Sequence, residues 1–281
     1  MYYTVNGARY WYEIHGKGYP LIMLHGFTGS SATWSNFIKN WQEGLQIITV
    51  DLPGHGKTRT RYPKTMEECC EDLKDLFDYL GLDEFHLLGY SMGGRTALSF
   101  AMIYPKMISS LILESASPGL ATEEERKKRT LKDEALAKKL EEEGIEAFVD
   151  FWENIPLFQS QKNLPKEVQQ EIRHERLSQK VRGLAQSLRY MGTGSQPSWW
   201  DRLDQFEKPI LLFAGEYDDK FISINKLIEG HLQGDLQDGG LIVCENSGHA
   251  IHVEQPEFFG RMVQTCVFGA ELYKRIRKEE E

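Results

Sequence analysis

The sequence predicts an α/β protein with a mainly parallel central sheet, flanking helices, and a helical insertion after the sixth strand. Three observations carry that expectation. The runs "PLIMLHG", "LQIITVD", "FHLLGYS" and "ISSLILE" are apolar without alternation, as strands covered on both faces by helices are. Amphipathic stretches of helical period separate these runs. The alternation stops near residue 120 and resumes only with "KPILLFAGEYD".

In chain order, "YTVNGARYWYEI" reads as two strands turned at Asn6–Gly7, a residue pair suited to a two-residue hairpin. The stretch "MEECCEDLKDLFDYLGL" places Cys69, Leu73, Leu76 and Leu80 on one helical face, so Cys69 reads as core rather than as a reactive thiol. The run "FHLLGYS" passes directly into a helix, "MGGRTALSFAMIYP". Residues 119–204 form the expected cap, and residues 1–118 with 205–281 the core. Within the cap, "TEEERKKRTLKDEALAKKLEEEG" reads as a helix whose start is fixed by a capping box of Thr122 and Glu125. After it, "GGLIVCENSGH" resumes the buried-strand pattern and "PEFFGRMVQTCVFGAELYKRI" closes with a helix. The run "RIRKEEE" is expected to fray.

A chain of 281 residues suits one domain carrying an insertion, and 41% apolar residues suffice for a sizeable core. The net charge of -9 argues against broad binding to nucleic acid or to an anionic membrane, although a local basic pocket still holds an anion. Cys69, Cys70, Cys244 and Cys266 show neither a C-x-x-C metal spacing nor a disulfide framework. No secretory leader and no membrane-length apolar stretch are visible, so a cytoplasmic protein, acting as a monomer, is expected.

The chemistry centres on Gly89-Tyr90-Ser91-Met92-Gly93, a G-x-S-x-G pattern at a strand-to-helix junction. A sharp turn there exposes a serine oxygen at a helix N-terminus, and the flanking glycines leave room for the neighbouring backbone. Such a serine needs a base, and the base needs an orienting carboxylate. His249, in the loop after the last strand, is the candidate base, with His252 as its rival. Asp218 follows "PILLFAGE" at a strand's C-terminal end, with Asp219 adjacent. The order Ser, Asp, His is that of α/β hydrolases. The turn after "PLIML" offers the Phe27 N–H, which with that of Met92 would form an oxyanion hole. His55, within "DLPGHG", reads as part of a structural turn.

The features "HGF", "DLPGHG", "SGH" and the serine elbow are general to that superfamily. More specific are "GYSMGGR", "SPGLATEEERKKRTLKDEALA", "DFW" at 150–152 and "GEYDDKF". With these, the chain resembles the 2-succinyl-6-hydroxy-2,4-cyclohexadiene-1-carboxylate synthases, the α/β-hydrolase-fold lyases of menaquinone biosynthesis. The resemblance implies elimination of pyruvate from a small anionic substrate, without metal or cofactor. It also implies that Arg95 and Arg129 hold substrate carboxylates and that Tyr90 and Trp152 line the site. Arg95 has independent support, since it lies at i, i+4 from Ser91 and a guanidinium grips a carboxylate bidentately. Arg126 shares a face with Arg129, and Asp133 is placed to pair with Arg129 instead. Trp34, Trp41, Trp199 and Trp200 read as packing residues. Ala250 departs from the family pattern, in which some members carry a polar residue after the histidine. A serine carboxylesterase of the same fold, acting on a small acidic ester, is the alternative, and a binding protein that keeps the fold is a further one.

Overall fold

The computed structural model describes residues 1–232 and 240–280, with side chains described through residue 275. Strands β1 (Tyr2–Val5) and β2 (Ala8–Gly16) form the expected hairpin, with φ of 44° at Asn6 and 76° at Gly7. Positive φ at both central residues gives a turn whose twist matches that of the strands. There follow β3 (Tyr19–Leu24), α1 (Ser35–Trp41), β4 (Leu45–Val50), β5 (Arg59–Thr60), α2 (Met66–Tyr79), β6 (Phe85–Tyr90), α3 (Met92–Ile103) and β7 (Ile108–Glu114). The insertion carries α4 (Glu123–Trp152), α5 (Lys166–Leu177) and α6 (Val181–Tyr190). The chain then returns to β8 (Ile210–Gly215), α7 (Asp219–His231), β9 (Gly240–Cys244), α8 (Ile251–Glu254) and α9 (Pro256–Glu280).

Strand β5 is two polar residues paired with β2, invisible to any search for apolar runs. It raises the count, so the insertion follows the expected strand Ile108–Glu114 as the seventh rather than the sixth. Among the described residues the sheet order is β1-β2-β4-β3-β6-β7-β8-β9. Pairing is antiparallel between β1, β2 and β4 and parallel from β4 across to β9.

Alternate residues of one strand serve opposite layers. Leu21 and Met23 pack with Trp34, Phe37 and Phe259, whereas Ile22 and Leu24 pack with Leu73, Phe77 and Leu98. Both faces are covered, which is why the runs show no alternation. In α2, Cys69, Leu73 and Leu76 are fully buried, as their shared face requires. Strand β9 departs from its expected double burial. It has β8 as its neighbour at the sheet edge, and Val243 is 42% exposed. The fraying expected of 275–281 falls almost wholly outside the described side chains. Among the described residues no helix is long and apolar enough to cross a membrane.

Both bonds of the capping box are present: Glu125 N donates to Thr122 Oγ1 at 3.2 Å, and Thr122 N donates to Glu125 Oε2 at 3.0 Å. Helix α4 breaks at Gly144, whose φ of 83° a residue without a Cβ adopts freely. Ala137, Leu140 and Phe148 of α4 pack with Leu184, Ala185 and Leu188 of α6 to form a small core within the insertion. Arg189 joins α6 to Glu134 and Glu141, and Arg173 joins α5 to Asp150 and Glu153. Exposed pairs of this kind contribute at most about 1 kcal/mol each, so the apolar contacts hold the helices together and the ion pairs orient them. The insertion meets the strand ends through the Phe27 ring, 5.4 Å from that of Trp152, and through Glu175, which accepts from Ser30 Oγ at 2.7 Å and Thr33 Oγ1 at 2.9 Å.

Candidate active site

Ser91 closes β6 and caps α3 with φ 50° and ψ -105°, a strained conformation for a residue with a Cβ. The neighbouring glycines make it attainable. A Cβ on Gly89 would lie 2.3 Å from Gly93 O, one on Gly93 2.1 Å from Leu24 O, and one on Gly94 2.5 Å from the Ala116 Cβ. The junction is anchored by the Ser91 N–H, which donates to Glu114 O at 2.8 Å.

His249 Nε2 lies 3.0 Å from Ser91 Oγ, and His249 Nδ1 lies 2.7 Å from Asp218 Oδ2. Asp218 and His249 are 6% and 2% exposed, so solvent competes little for their bond. Asp218 caps α7 and so cannot swing freely: Phe221 N donates to its Oδ1 at 3.4 Å. The two rival residues lie apart from this chain of bonds. Asp219 is exposed, and His252 is turned away to Glu114, with Nδ1 2.9 Å from both carboxylate oxygens. His252 is thus held in a buried hydrogen-bonded pair with Glu114.

Among the described residues, neither the Phe27 nor the Met92 backbone N–H donates a hydrogen bond to another backbone group. Met92 opens α3, where the first amides have no helical acceptor. The loop bearing Phe27 is set by His25, whose Nδ1 lies 2.8 Å from Gly26 O and whose Nε2 accepts from Leu52 N at 3.0 Å. That second bond requires the proton on Nδ1, and burial brings His25 down to about 4. His55 is also fully buried, brought down to about 3 by burial and then by His25, and packs at 5.6 Å on Phe27. It supports the loop, as the turn reading implied.

Arg95 points from α3 toward the insertion, where Nη1 donates to Met191 O at 2.9 Å and Gln196 Oε1 at 2.5 Å. Burial, and then the Arg129 charge, bring it down to about 10, so it stays cationic at neutral pH. Arg129 uses Nε on Asp133 Oδ1 at 2.8 Å, the pairing its spacing allowed, while its terminal nitrogens make no described bond. Arg126 has a buried Nε without a partner. Tyr90 immediately precedes the serine, whereas Trp152 packs on the ring of Phe27. The Tyr90 ring is 5.5 Å from His249, and the Trp152 ring is 5.4 Å from Phe27 with its indole N–H unpartnered.

An α/β-hydrolase-fold family model matches residues 19–256. A Bacillus subtilis protein described as a 2-succinyl-6-hydroxy-2,4-cyclohexadiene-1-carboxylate synthase is 45% identical, covering 86% of this chain and 88% of that one. The chain belongs to this synthase family of the α/β hydrolases. The structure of MenH from S. aureus, at 38% identity, superposes with a TM-score of 0.87 over 93% of this chain and 98% of that one. A thermophilic esterase from Thermogutta terrifontis, with malate bound, is 26% identical with a TM-score of 0.80, covering 94% of each chain.

Two cations in the neighbourhood of these residues escape a reading of the sequence. Arg176 of α5 is 7% exposed, donates from Nη2 to Gln161 Oε1 at 3.0 Å and lies 4.7 Å over the Phe158 ring, with no carboxylate at ion-pair distance among the described residues. It lines a groove of about 1220 Å³ shared with Phe27, Tyr90, Phe158 and Ala250. Lys220 sets its ammonium 4.9 Å from the Phe221 ring, which itself packs 4.9 Å from His249. The Lys220 side chain is exposed, and its pKa is lowered only through partial desolvation and then the charge of Arg129. Arg176 sits in a helix rich in charge, and nothing in its spacing marks it. Only its burial without an anion does.

Proposed function

We propose that the chain eliminates pyruvate from 2-succinyl-5-enolpyruvyl-6-hydroxy-3-cyclohexene-1-carboxylate, using Ser91, His249 and Asp218 as its proton-transfer machinery. The activity is that of a carbon–oxygen lyase in menaquinone biosynthesis. The observation that carries it is the 45% identity to a synthase over 86% of the chain, a span too long to leave out the insertion. Ser91, giving its proton to His249 Nε2, takes the proton next to the substrate carbonyl. Charge gathers on the carbonyl oxygen, where the Phe27 and Met92 amides receive it. The double bond then shifts and the ring carbon–oxygen bond breaks, expelling the enolate of pyruvate, which becomes pyruvate on gaining a proton at carbon as His249 gives up the one it holds. Asp218 holds the imidazole tautomer and stabilises its charged form. No metal or cofactor is needed to acidify a proton already adjacent to a carbonyl.

The cap 119–204 would enclose the substrate, with Arg95, Arg129, Arg176 and Lys220 answering its carboxylates and Tyr90 and Trp152 forming the walls. A cytoplasmic monomer fits this reading, and the unpaired thiols of Cys69, Cys70 and Cys244 suit a reducing compartment. The second reading, a carboxylesterase, is favoured by the likeness to the malate-bound esterase. Incubation with the enolpyruvyl substrate, assayed for pyruvate beside p-nitrophenyl ester hydrolysis, separates them. Fast pyruvate release with slow ester turnover is expected, and ester turnover alone would overturn the lyase.

A further inference from the structure

We infer that Glu254 is a positioning residue for His249, acting through the two peptide groups that flank it. Its carboxylate is divided between them: Oε2 accepts from Gly248 N at 2.8 Å and Oε1 accepts from Ala250 N at 3.3 Å. The Glu254 N–H returns a bond to Ala250 O at 2.9 Å, so the short helix α8 and the histidine loop brace each other.

The loop needs such a brace. His249 is held to two partners at once, Asp218 at 2.7 Å and Ser91 at 3.0 Å, and an ångström of drift forfeits one of them. The residue on its N-terminal side is a glycine, the one most free to move. A side chain at 248 has no room, since a Cβ there would lie 2.2 Å from Ser160 Oγ of the insertion. Close packing against Ser160 therefore excludes a stiffer residue at 248 and leaves backbone hydrogen bonds to fix the loop. At its other end Asn246, with φ 53°, donates its N–H to Glu216 Oε2 at 2.9 Å, and Tyr217 N donates to Ser247 O at 2.9 Å. Those bonds tie the loop to the turn that carries Asp218, and Glu254 completes the restraint on the far side of the imidazole.

Two N–H donors facing one side chain ask for two acceptor oxygens, which a carboxylate has and a carboxamide has not. Glu254→Gln would set its NH2 against one of the amides, so it should fall between wild type and Glu254→Ala. A role confined to bracing α8 predicts a loss of thermal stability instead.

This inference concerns the Ser91–His249 pair and needs only that the pair activates the serine, whichever substrate is turned over. The test compares wild type, Glu254→Gln and Glu254→Ala in three measurements: labelling of Ser91 by a fluorophosphonate, kcat and KM for pyruvate release, and Tm. The expected result is labelling and kcat lowered about ten- to a hundredfold in Glu254→Ala, with KM within about threefold. The low-field proton resonance of the His249–Asp218 bond should broaden in the same variant. Unchanged labelling in folded Glu254→Ala overturns the inference, and so does a fall in Tm alone. If labelling depends on Glu254 while no variant, wild type included, releases pyruvate, the lyase reading fails and the positioning role stands.

Discussion

Arg95 donates its backbone N–H to the Ser91 carbonyl at 3.0 Å, yet its guanidinium, one helical turn behind the serine, is met by the neutral oxygens of Met191 and Gln196. A cation enclosed by carbonyl groups is oriented without being neutralised. Its remaining N–H groups stay available to a carboxylate, which is the use expected for a planar fork that keeps its charge when buried.

Replacing Arg95 or Arg129 by Ala should therefore act selectively. Each lost charge-assisted bond is worth about 1.5–3 kcal/mol, so kcat/KM for the carboxylate-bearing substrate should fall roughly ten- to a hundredfold. A neutral p-nitrophenyl ester offers these side chains nothing to hold, and its hydrolysis should change little. Steady-state assays of both substrates decide the matter; equal losses on both would assign the arginines to structure. Arg176→Gln should behave in the same way.

Ser91→Ala and His249→Ala should each lower turnover by orders of magnitude while leaving Tm near that of the wild type, because the two act as a unit. His252→Ala should show the opposite balance. It removes the imidazole from the fully buried Glu114 carboxylate, which keeps only the backbone N–H of residue 252 from that segment, and a buried polar group left short of a partner costs about 1–3 kcal/mol. Thermal melts beside turnover rates check this; a harmless His249→Ala would move the base elsewhere.

Asp218→Asn should impair turnover far more than Asp219→Asn. Asp218 meets the imidazole at 2.7 Å, and an amide there favours the wrong tautomer, whereas Asp219 faces solvent. Comparable kcat values for the two variants would contradict the assignment.

Stability should decline on mild acidification. Burial brings His25 and His86 down to about 4 and His55 to about 3 in the folded chain. The unfolded chain takes up those protons near pH 6.5, so it binds more protons than the folded one between that value and the folded pKa. Stabilisation is complete above about pH 6.5 and is lost progressively as pH falls toward 4. The window from about pH 6.5 to 5 is diagnostic, because ordinary carboxylates titrate below it. Melting scans across it should show a falling Tm, and a flat profile would contradict the burial of neutral imidazoles.

The sequence alone determined the features whose causes are local. Asn6–Gly7 makes its turn, Thr122 and Glu125 make their capping box, and Gly89 is kept small by Gly93 and Gly94 of the same elbow, each through neighbours within a few residues, whereas Gly93 answers to Leu24 of a distant strand. Uniform apolar runs revealed doubly covered strands because each residue's burial follows from its strand's place between helices. The edge position of β9 among the described strands was hidden, since nothing local records that a strand has one neighbour rather than two. Likewise, His249 and His252 lie three residues apart with similar surroundings in sequence. What separates them is that Asp218 and Ser91 approach one and Glu114 the other. Arg176 became visible only when folding enclosed it with no carboxylate at ion-pair distance among the described residues. Hydrogen-bond partners and desolvation belong to the assembled fold, because they depend on groups that the chain brings together from distant positions.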